Sequence, residues 1–240
     1  MWSDGGALAL GHRVPPMRTI PAHRKDVHGL AFAPDARTLA SVGGQSAAVW
    51  LWDLRTGALI HRLAGRRDRG RAVAFGPDGK LIAAADNRNL VRVWRLPDGR
   101  PEAEIQVTRY SPPHTDYRPA FDLVFLPGGR SLATGSEQVR VWDLGTYDPP
   151  YREAPIAGRR QIDALAPSAD GLMLAFASNR PRETARAVGP RGAVGCWWLQ
   201  SNLVRVLAEV GAKVHALAFA PDGLTLAVAG DFGLAVVDFE

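Results

Sequence analysis

The sequence has few of the features that disulfide-linked or membrane proteins need, namely cysteines and long apolar runs. Cys196 is the one cysteine among 240 residues, so no intrachain disulfide can form. It lies in an apolar run beside Trp197, where a buried and unreactive thiol is expected. No apolar run reaches the about 20 residues that a membrane-spanning helix needs. The first residues also lack the basic start and apolar core of a signal peptide. We therefore expect a cytoplasmic protein with no membrane partner.

Motifs of catalytic and cofactor chemistry are also missing. The six histidines are scattered, and no two of them have the His-x-x-x-His spacing of a metal site on a helix. Neither paired cysteines nor a glycine-rich phosphate loop occurs. The sequence therefore predicts no cofactor, no metal and no catalytic residue, and we expect that the protein is not an enzyme.

The sequence contains instead a short motif that occurs five times. The copies begin at Gly29 (GLAFAPDARTLAS), Ala72 (AVAFGPDGKLIAA), Asp122 (DLVFLPGGRSLAT), Ala164 (ALAPSADGLMLAF) and Ala216 (ALAFAPDGLTLAV). Each copy joins two short apolar stretches through a turn of the Pro-Asp-Gly type. Recurrence of this kind is the signature of a repeat architecture.

The spacing of the copies locates the insertions in the repeat. The residue three before the turn aspartate, or its equivalent, is Phe32, Phe75, Phe125, Pro167 and Phe219, at intervals of 43, 50, 42 and 52 residues. Within a copy the apolar residues alternate with a period of two, as strands require. In the second copy, strands are predicted at 81–85 and 90–94, and a more polar fourth strand precedes that copy at 58–65. Four short antiparallel strands per copy are typical of a propeller blade.

The ends of the copies carry a family resemblance. They read VWLWDLRTG at 49–57, VRVWRLPDG at 91–99 and VRVWDLGT at 139–146, with degenerate forms at 195–200 and 234–240. With these motifs in the same order five times, nearly all of the chain resembles the WD-repeat β-propeller family. The resemblance implies an all-β fold in one domain, residues 1–240. The expected blades are 22–65, 66–107, 115–158, 159–210, and 211–240 together with 16–21.

Ring closure depends on the N-terminal segment. The fifth copy ends after its third strand, and residues 16–21 resemble a fourth, outer strand. If that strand completes the last blade, five blades form a closed ring without free sheet edges. The alternative is an open or incomplete ring of a larger propeller, for which self-association is expected.

The resemblance also implies buried polar contacts within the blades. In the family, a histidine, a serine or threonine, an aspartate and a tryptophan often form a hydrogen-bonded tetrad. Here His23, Ser41 and Trp52 supply three members in the first blade, and most other blades lack several. We therefore expect that the blades are held mainly by apolar packing.

A second repeat position suggests a binding surface. Four residues before Phe32 and its equivalents in the other copies, the chain reads His28, Arg71, Phe121, Asp163 and His215. The resemblance places these residues on the inner strands near the mouth of the central channel, and strand alternation predicts that they point toward it. Aromatic side chains and arginine are enriched at binding hot spots. The set is predicted to bind a protein or peptide partner, so the favoured function is a non-catalytic interaction scaffold.

Two other functions remain as alternatives. The net charge is +5 and the sequence pI about 9.9, and arginine pairs well with phosphate. Arginines that could bind RNA or a phosphopeptide are Arg66, Arg67, Arg69, Arg159, Arg160, Arg182 and Arg186. The basic residues are nevertheless spread through all repeats, which is the pattern that a bias in amino-acid composition produces. Nucleic acid is therefore the less favoured partner. A carbohydrate-active enzyme would need two facing carboxylates, for which Asp26, Glu137 and Asp163 are the candidates.

Overall fold

The fold is known from a computed structural model, which describes residues 19–20, 22–23, 26–44, 46–65, 68–107, 122–145, 150–156, 161–179 and 189–239. All regular structure in these ranges is β-strand, and the strands form five antiparallel sheets. The predicted all-β class is confirmed, and four of the five sheets have the predicted four strands, whereas the fifth has three among the described residues. No helix in the described ranges is long and apolar enough to cross a membrane.

Each sheet, called a blade here, is built from strands that are consecutive in the chain. Blade 1 contains β1 (Val27–Phe32), β2 (Thr38–Gly43), β3 (Ser46–Asp53) and β4 (Leu59–Leu63). Blade 2 contains β5 (Gly70–Phe75), β6 (Leu81–Asp86), β7 (Leu90–Arg95) and β8 (Arg100–Gln106). Blade 3 contains β9 (Asp122–Phe125), β10 (Ser131–Gly135), β11 (Val139–Asp143) and β12 (Tyr151–Glu153). Blade 4 contains β13 (Gln161–Pro167), β14 (Met173–Asn179), β15 (Gly192–Trp198) and β16 (Leu203–Val210). Blade 5 contains β17 (Val214–Phe219), β18 (Thr225–Gly230) and β19 (Gly233–Asp238).

The Pro-Asp-Gly segment of the repeated motif forms the turn between the first two strands of each blade. In the four turns that have an aspartate at its second position, the carboxylate accepts the backbone N–H two residues later, as Asp78 does from Lys80 at 2.9 Å. The glycine that follows has a positive φ, +70° at Gly79, and in blade 1 Ala36 adopts the same conformation at +53°. The turn aspartates therefore have a structural role, since they satisfy backbone donors that the tight turn leaves free.

The blades stack face to face in chain order. The first strands contact one another in the series β1, β5, β9, β13 and β17. Each of the four apolar clusters joins residues of two consecutive blades, so the core lies between sheets. The turns also stack, because Gly79 lies against Pro34 and Gly129 against Pro77 of the preceding blade. The described residues thus form an arc of five blades in which every inner blade is covered on both faces.

The two ends of the arc are uncovered in the described structure. The last sheet has the order β17–β18–β19, and no fourth strand pairs with it among the described residues. Most of the segment predicted to supply that strand, residues 16–18 and 21, lies outside the described residues. Ring closure and the single-domain boundaries therefore stay predictions.

The three tetrad members predicted in blade 1, His23, Ser41 and Trp52, are joined by hydrogen bonds. Ser41 Oγ shares a hydrogen bond of 3.0 Å with His23 Nε2 and accepts one of 2.8 Å from Trp52 Nε1. Burial lowers the pKa of His23, which favours its neutral form. Blade 3 keeps a shorter version, in which Trp142 Nε1 donates to Thr134 Oγ1 at 3.0 Å.

The prediction that the blades are held mainly by apolar packing is confirmed by the four clusters between consecutive blades, and polar side chains add to that packing. Polar side chains bridge consecutive blades at positions outside the tetrad. Arg140 of blade 3 donates to the Val107 carbonyl of blade 2, and Arg152 donates to the Leu199 carbonyl of blade 4 at 2.7 Å. Such contacts add directional bonds to interfaces that are otherwise apolar.

Candidate functional site: the bulge face

The first strand of a blade carries an irregularity at the same place in four of the five blades. The pairing of β1 with β2 shifts between Val27 and Gly29, and equivalent shifts occur in β5, β13 and β17. The residues left over at these shifts are His28, Arg71, Asp163 and His215. A β-bulge of this kind interrupts the alternation of a strand and re-aims the extra side chain. We call the end of the blades where these bulges lie the bulge face, and the opposite end the turn face.

The bulge residues are therefore the described members of the predicted channel-mouth set. Each of them has the same position in its blade. Each is, however, the extra residue of a bulge, so the simple strand alternation from which the direction of its side chain was predicted does not hold there. Phe121, the fifth member, lies outside the described residues, and β9 begins one residue after it. The binding role of the set stays a prediction.

His28 and Arg71 belong to adjoining strands. A Cβ atom on Gly29, next to His28, would lie 3.2 Å from the Cα of Ala72 and from the carbonyl oxygen of Arg71. Glycine thus allows the two bulges to approach closely. The His28 side chain is exposed, whereas Arg71 is half-buried.

The Arg71 guanidinium retains an unused donor. Its Nε atom is buried and has no hydrogen-bond partner in the described part of the chain. Arg69, two residues earlier, is exposed, and Asp68 is occupied by an ion pair of 3.1 Å with Arg88. The bulge face of blade 2 therefore presents positive charge with unused hydrogen-bonding capacity, which suits a carboxylate or phosphate.

Asp163 is engaged within the protein. Its carboxylate accepts hydrogen bonds from Gln161 Nε2 and, at 2.6 Å, from Asn179 Nδ2. Asn179 also bonds to the first strand of blade 5, since it donates to the Val214 carbonyl at 2.7 Å and accepts from the Val214 amide at 3.0 Å. Asn179 is buried, and two of its three hydrogen bonds join blade 4 to blade 5. Sequence analysis did not identify it.

His215 is paired on the surface. Its Nε2 atom lies 2.6 Å from Asp231 Oδ1, and both side chains are more than half exposed. This hydrogen bond is the main reason that the pKa of Asp231 is lowered. Blades 4 and 5 therefore satisfy their bulge residues internally, while blades 1 and 2 offer theirs to solvent or a partner.

The arginine set is largely untested by the structure. Arg69 is described, is exposed and lies beside the bulge of blade 2. The other members, Arg66, Arg67, Arg159, Arg160, Arg182 and Arg186, lie outside the described residues. Among the carbohydrate-enzyme candidates, Asp163 is held as described above, and Asp26 and Glu137 are exposed.

The turn face offers a shallow pocket of about 390 Å³ between blades 3 and 4. It is lined by Arg130, Arg152, Asp170 and Leu199, among others. Its charged side chains are exposed, and Arg152 already bonds to the Leu199 carbonyl. The pocket lies at the opposite end of the strands from the bulge residues, so it is not part of the same surface.

Cys196 is buried, as the sequence predicts. Burial raises the pKa of its thiol to about 12, so the reactive thiolate is not formed at neutral pH. Within the described ranges, no group of three or more His, Cys, Asp or Glu side chains could hold a metal ion.

Asp122 joins blade 3 to blade 4 beside the bulge face. Its carboxylate accepts the Leu165 amide of blade 4 at 2.8 Å and the Leu123 amide at 2.9 Å. Burial nevertheless raises the pKa of Asp122 to about 6, because the desolvation of the charge outweighs the two hydrogen bonds.

We expect Asp122 to make the folding stability pH-dependent. Because its pKa is raised on folding, its contribution is fully present below the unfolded value near 4 and is lost as the pH rises through about 6. The difference in the free energy of unfolding between the wild type and Asp122→Asn should therefore fall by up to about 3 kcal/mol between pH 4 and pH 7. Urea unfolding at a series of pH values measures it. A difference that does not change with pH contradicts the assignment.

Stacked antiparallel blades of three or four strands, with a recurring bulge in the first strand and a Trp-to-Ser/Thr hydrogen bond, define a repeat protein of the β-propeller class. Comparison with known families supports this directly. The family described as WD domain, G-beta repeat matches residues 14–53 and 59–95, which cover blade 1 and most of blade 2. Blades 1 and 2 therefore match WD repeats, and the chain resembles WD-repeat proteins.

Curated relatives are similar over about two thirds of the chain. Human angio-associated migratory cell protein is 23% identical over 190 residues, which are 65% of this chain and 44% of that protein. The fission yeast target of rapamycin complex subunit wat1 is 27% identical over 167 residues, 68% of this chain and 49% of its own length. Rat apoptotic protease-activating factor 1 is 25% identical over 150 residues, 60% of this chain and 12% of its own. The chain thus spans less than half the length of these relatives.

Proposed function

We propose that this protein is a non-catalytic scaffold that binds an acidic peptide segment of a partner protein across the bulge face of blades 1 and 2. WD-repeat proteins generally serve as protein-interaction scaffolds, which gives the broad class. The name of the fission yeast relative, a complex subunit, agrees with a role in assembly. The cytoplasm, where thiols stay reduced, suits the single buried cysteine, and this location belongs to the proposal.

The observation that carries the proposal is the Nε of Arg71, which is buried and has no hydrogen-bond partner among the described residues, at a bulge that other blades repeat. Asp163 and His215 are already engaged with protein groups, so they are less able to bind a ligand. Arg71, with Arg69 and His28 beside it, forms the basic part of the predicted channel-mouth set. A carboxylate there would gain charge-assisted hydrogen bonds at a partly desolvated site, where they are stronger than in open solvent.

The test is a selection from a displayed library of random short peptides on immobilised protein. We expect acidic peptides to be enriched, and we expect Arg71→Ala to weaken the best of them by about tenfold or more, since a hydrogen bond to a charged group contributes about 1.5–3 kcal/mol. Arg100→Ala is the matched control. It removes the same charge from the same blade but at the turn face, and should change the affinity less than about twofold.

Two outcomes would contradict the proposal: enrichment without acidic residues, or equal losses from Arg71→Ala and Arg100→Ala. RNA binding is distinguished in the same assay by salt. A polyanion bound through many arginines loses affinity steeply as salt rises, whereas a peptide held at one desolvated arginine loses much less.

A further inference from the structure

The two faces of every blade have different partners in the stack. The face toward the preceding blade, here the leading face, carries the large side chains of the first strand, such as Val73 and Phe75 in blade 2. The face toward the following blade, here the trailing face, carries the aliphatic side chains of the third strand, such as Val49 and Leu51 in blade 1. In the cluster between blades 1 and 2 these two sets pack together, and the pattern repeats at the next three interfaces.

The leading face of blade 1 is not covered by another blade among the described residues. Leu30 and Phe32 of β1 are 62% and 68% exposed. The equivalent residues of blade 3, Leu123 and Phe125, are buried against blade 2. The first blade therefore presents to solvent the same apolar side chains that the chain buries elsewhere.

The trailing face of blade 5 is likewise not covered by another blade in the part of the chain that the structure describes. Leu234 and Val236 of β19 are 75% and 58% exposed. The residues at these two positions in blades 1–4 are at most 5% exposed, and they are Val49, Leu51, Val91, Val93, Val139, Val141, Val194 and Cys196. Exposed apolar surface that is contiguous in this way marks an interaction site more often than isolated side chains do.

We infer that the trailing face of blade 5 binds the leading face of blade 1 on a second copy of this chain. The four internal interfaces show that a leading face and a trailing face fit each other, and one of each is uncovered in the described structure. Two copies can therefore stack head to tail with the packing already used within the chain. Such a contact is heterologous, because different surfaces of the two copies meet. It leaves one free face at each end of the assembly, so further copies can add.

The test is the molar mass of the purified full chain over a range of concentrations, measured by sedimentation velocity. The wild type should exceed the monomer mass of 25.9 kDa, by an amount that grows with concentration. A leading-face variant with Leu30→Asp and Phe32→Asp should be monomeric, and so should a trailing-face variant with Leu234→Asp and Val236→Asp.

Mixing the two variants gives the sharpest result. Each retains the face that the other has lost, so an equimolar mixture should form dimers and nothing larger. Leu172→Asp in blade 4 is the control. It removes an exposed apolar side chain that lies on neither of the two uncovered faces, so this variant should behave as the wild type does. Near-UV circular dichroism verifies that each variant is folded. If an aspartate variant has lost its fold, serine is used in place of aspartate at the same positions.

A wild type that stays at the monomer mass overturns the inference, because its faces are then covered within one chain, as in a closed ring. It is also overturned if either variant alone still associates, or if the mixture stays monomeric.

Discussion

Asn179→Ala is expected to lower the free energy of unfolding by about 2–4 kcal/mol, because it removes a buried amide that makes three hydrogen bonds. Two of these bonds reach the Val214 amide and carbonyl, at the start of blade 5. The third holds the Asp163 carboxylate at 2.6 Å. Without Asn179, buried polar atoms at the blade 4–5 interface lose their partners. Chemical unfolding followed by tryptophan fluorescence measures the change.

Asn87→Ala is the matched control for this substitution. Asn87 has the equivalent place in blade 2, where its side chain accepts the Arg69 amide at 3.2 Å in an exposed setting. Because water can replace that bond, the expected loss is about 0.5 kcal/mol or less. Equal losses from the two substitutions would show that the bridge to Val214 does not stabilise the interface.

Gly195→Ala is expected to destabilise the protein by about 2–3 kcal/mol through overpacking in blade 4. Gly195 lies in β15, which is paired on both sides and buried. A Cβ atom there would lie 2.7 Å from Cε2 of the Phe176 ring, which is well inside van der Waals contact. Phe176 has the place that Ser41 and Thr134 have in blades 1 and 3, so the glycine makes room for a larger side chain. Thermal or urea unfolding measures the cost.

Reducing the ring should relieve that cost. In the double variant Gly195→Ala, Phe176→Leu, the loss should be smaller than the sum of the two single losses. Gly211→Ala serves as control, since a Cβ at that position meets nothing within 4 Å, and its effect should stay within about 0.5 kcal/mol. Strict additivity of the double variant would contradict the steric explanation.

The sequence was a good guide to the blades because their signals are local. A period of two, a turn whose aspartate bonds to the amide two residues on, and a glycine with positive φ are all encoded within about ten residues. The strands predicted at 81–85 and 90–94 were confirmed as β6 (Leu81–Asp86) and β7 (Leu90–Arg95). The same holds for the Ser41–Trp52 contact in blade 1, whose members the family pattern indicates.

The site was predicted less completely because its determinants are not local. The repeat position identified His28, Arg71, Asp163 and His215, but strand alternation could not reveal that each is the extra residue of a bulge. Asn179 contacts Val214, 35 positions later, through a geometry that only the stacked blades create.

The uncovered faces at the two ends of the arc could not be predicted either. Leu234 and Val49 have the same character in the sequence, and only the presence or absence of a neighbouring blade makes one exposed and the other buried. Whether a repeat is covered is a property of the assembly, not of the repeat.

Hydrogen exchange with an acidic peptide from the library tests most directly whether the bulge face is the binding surface. Binding should slow exchange of the amides around His28 and Arg71, on the first strands of blades 1 and 2, and leave the turns at Gly129 and Gly171 unchanged. Protection of those turns, without protection at Arg71, would place the partner on the turn face and contradict the proposed function.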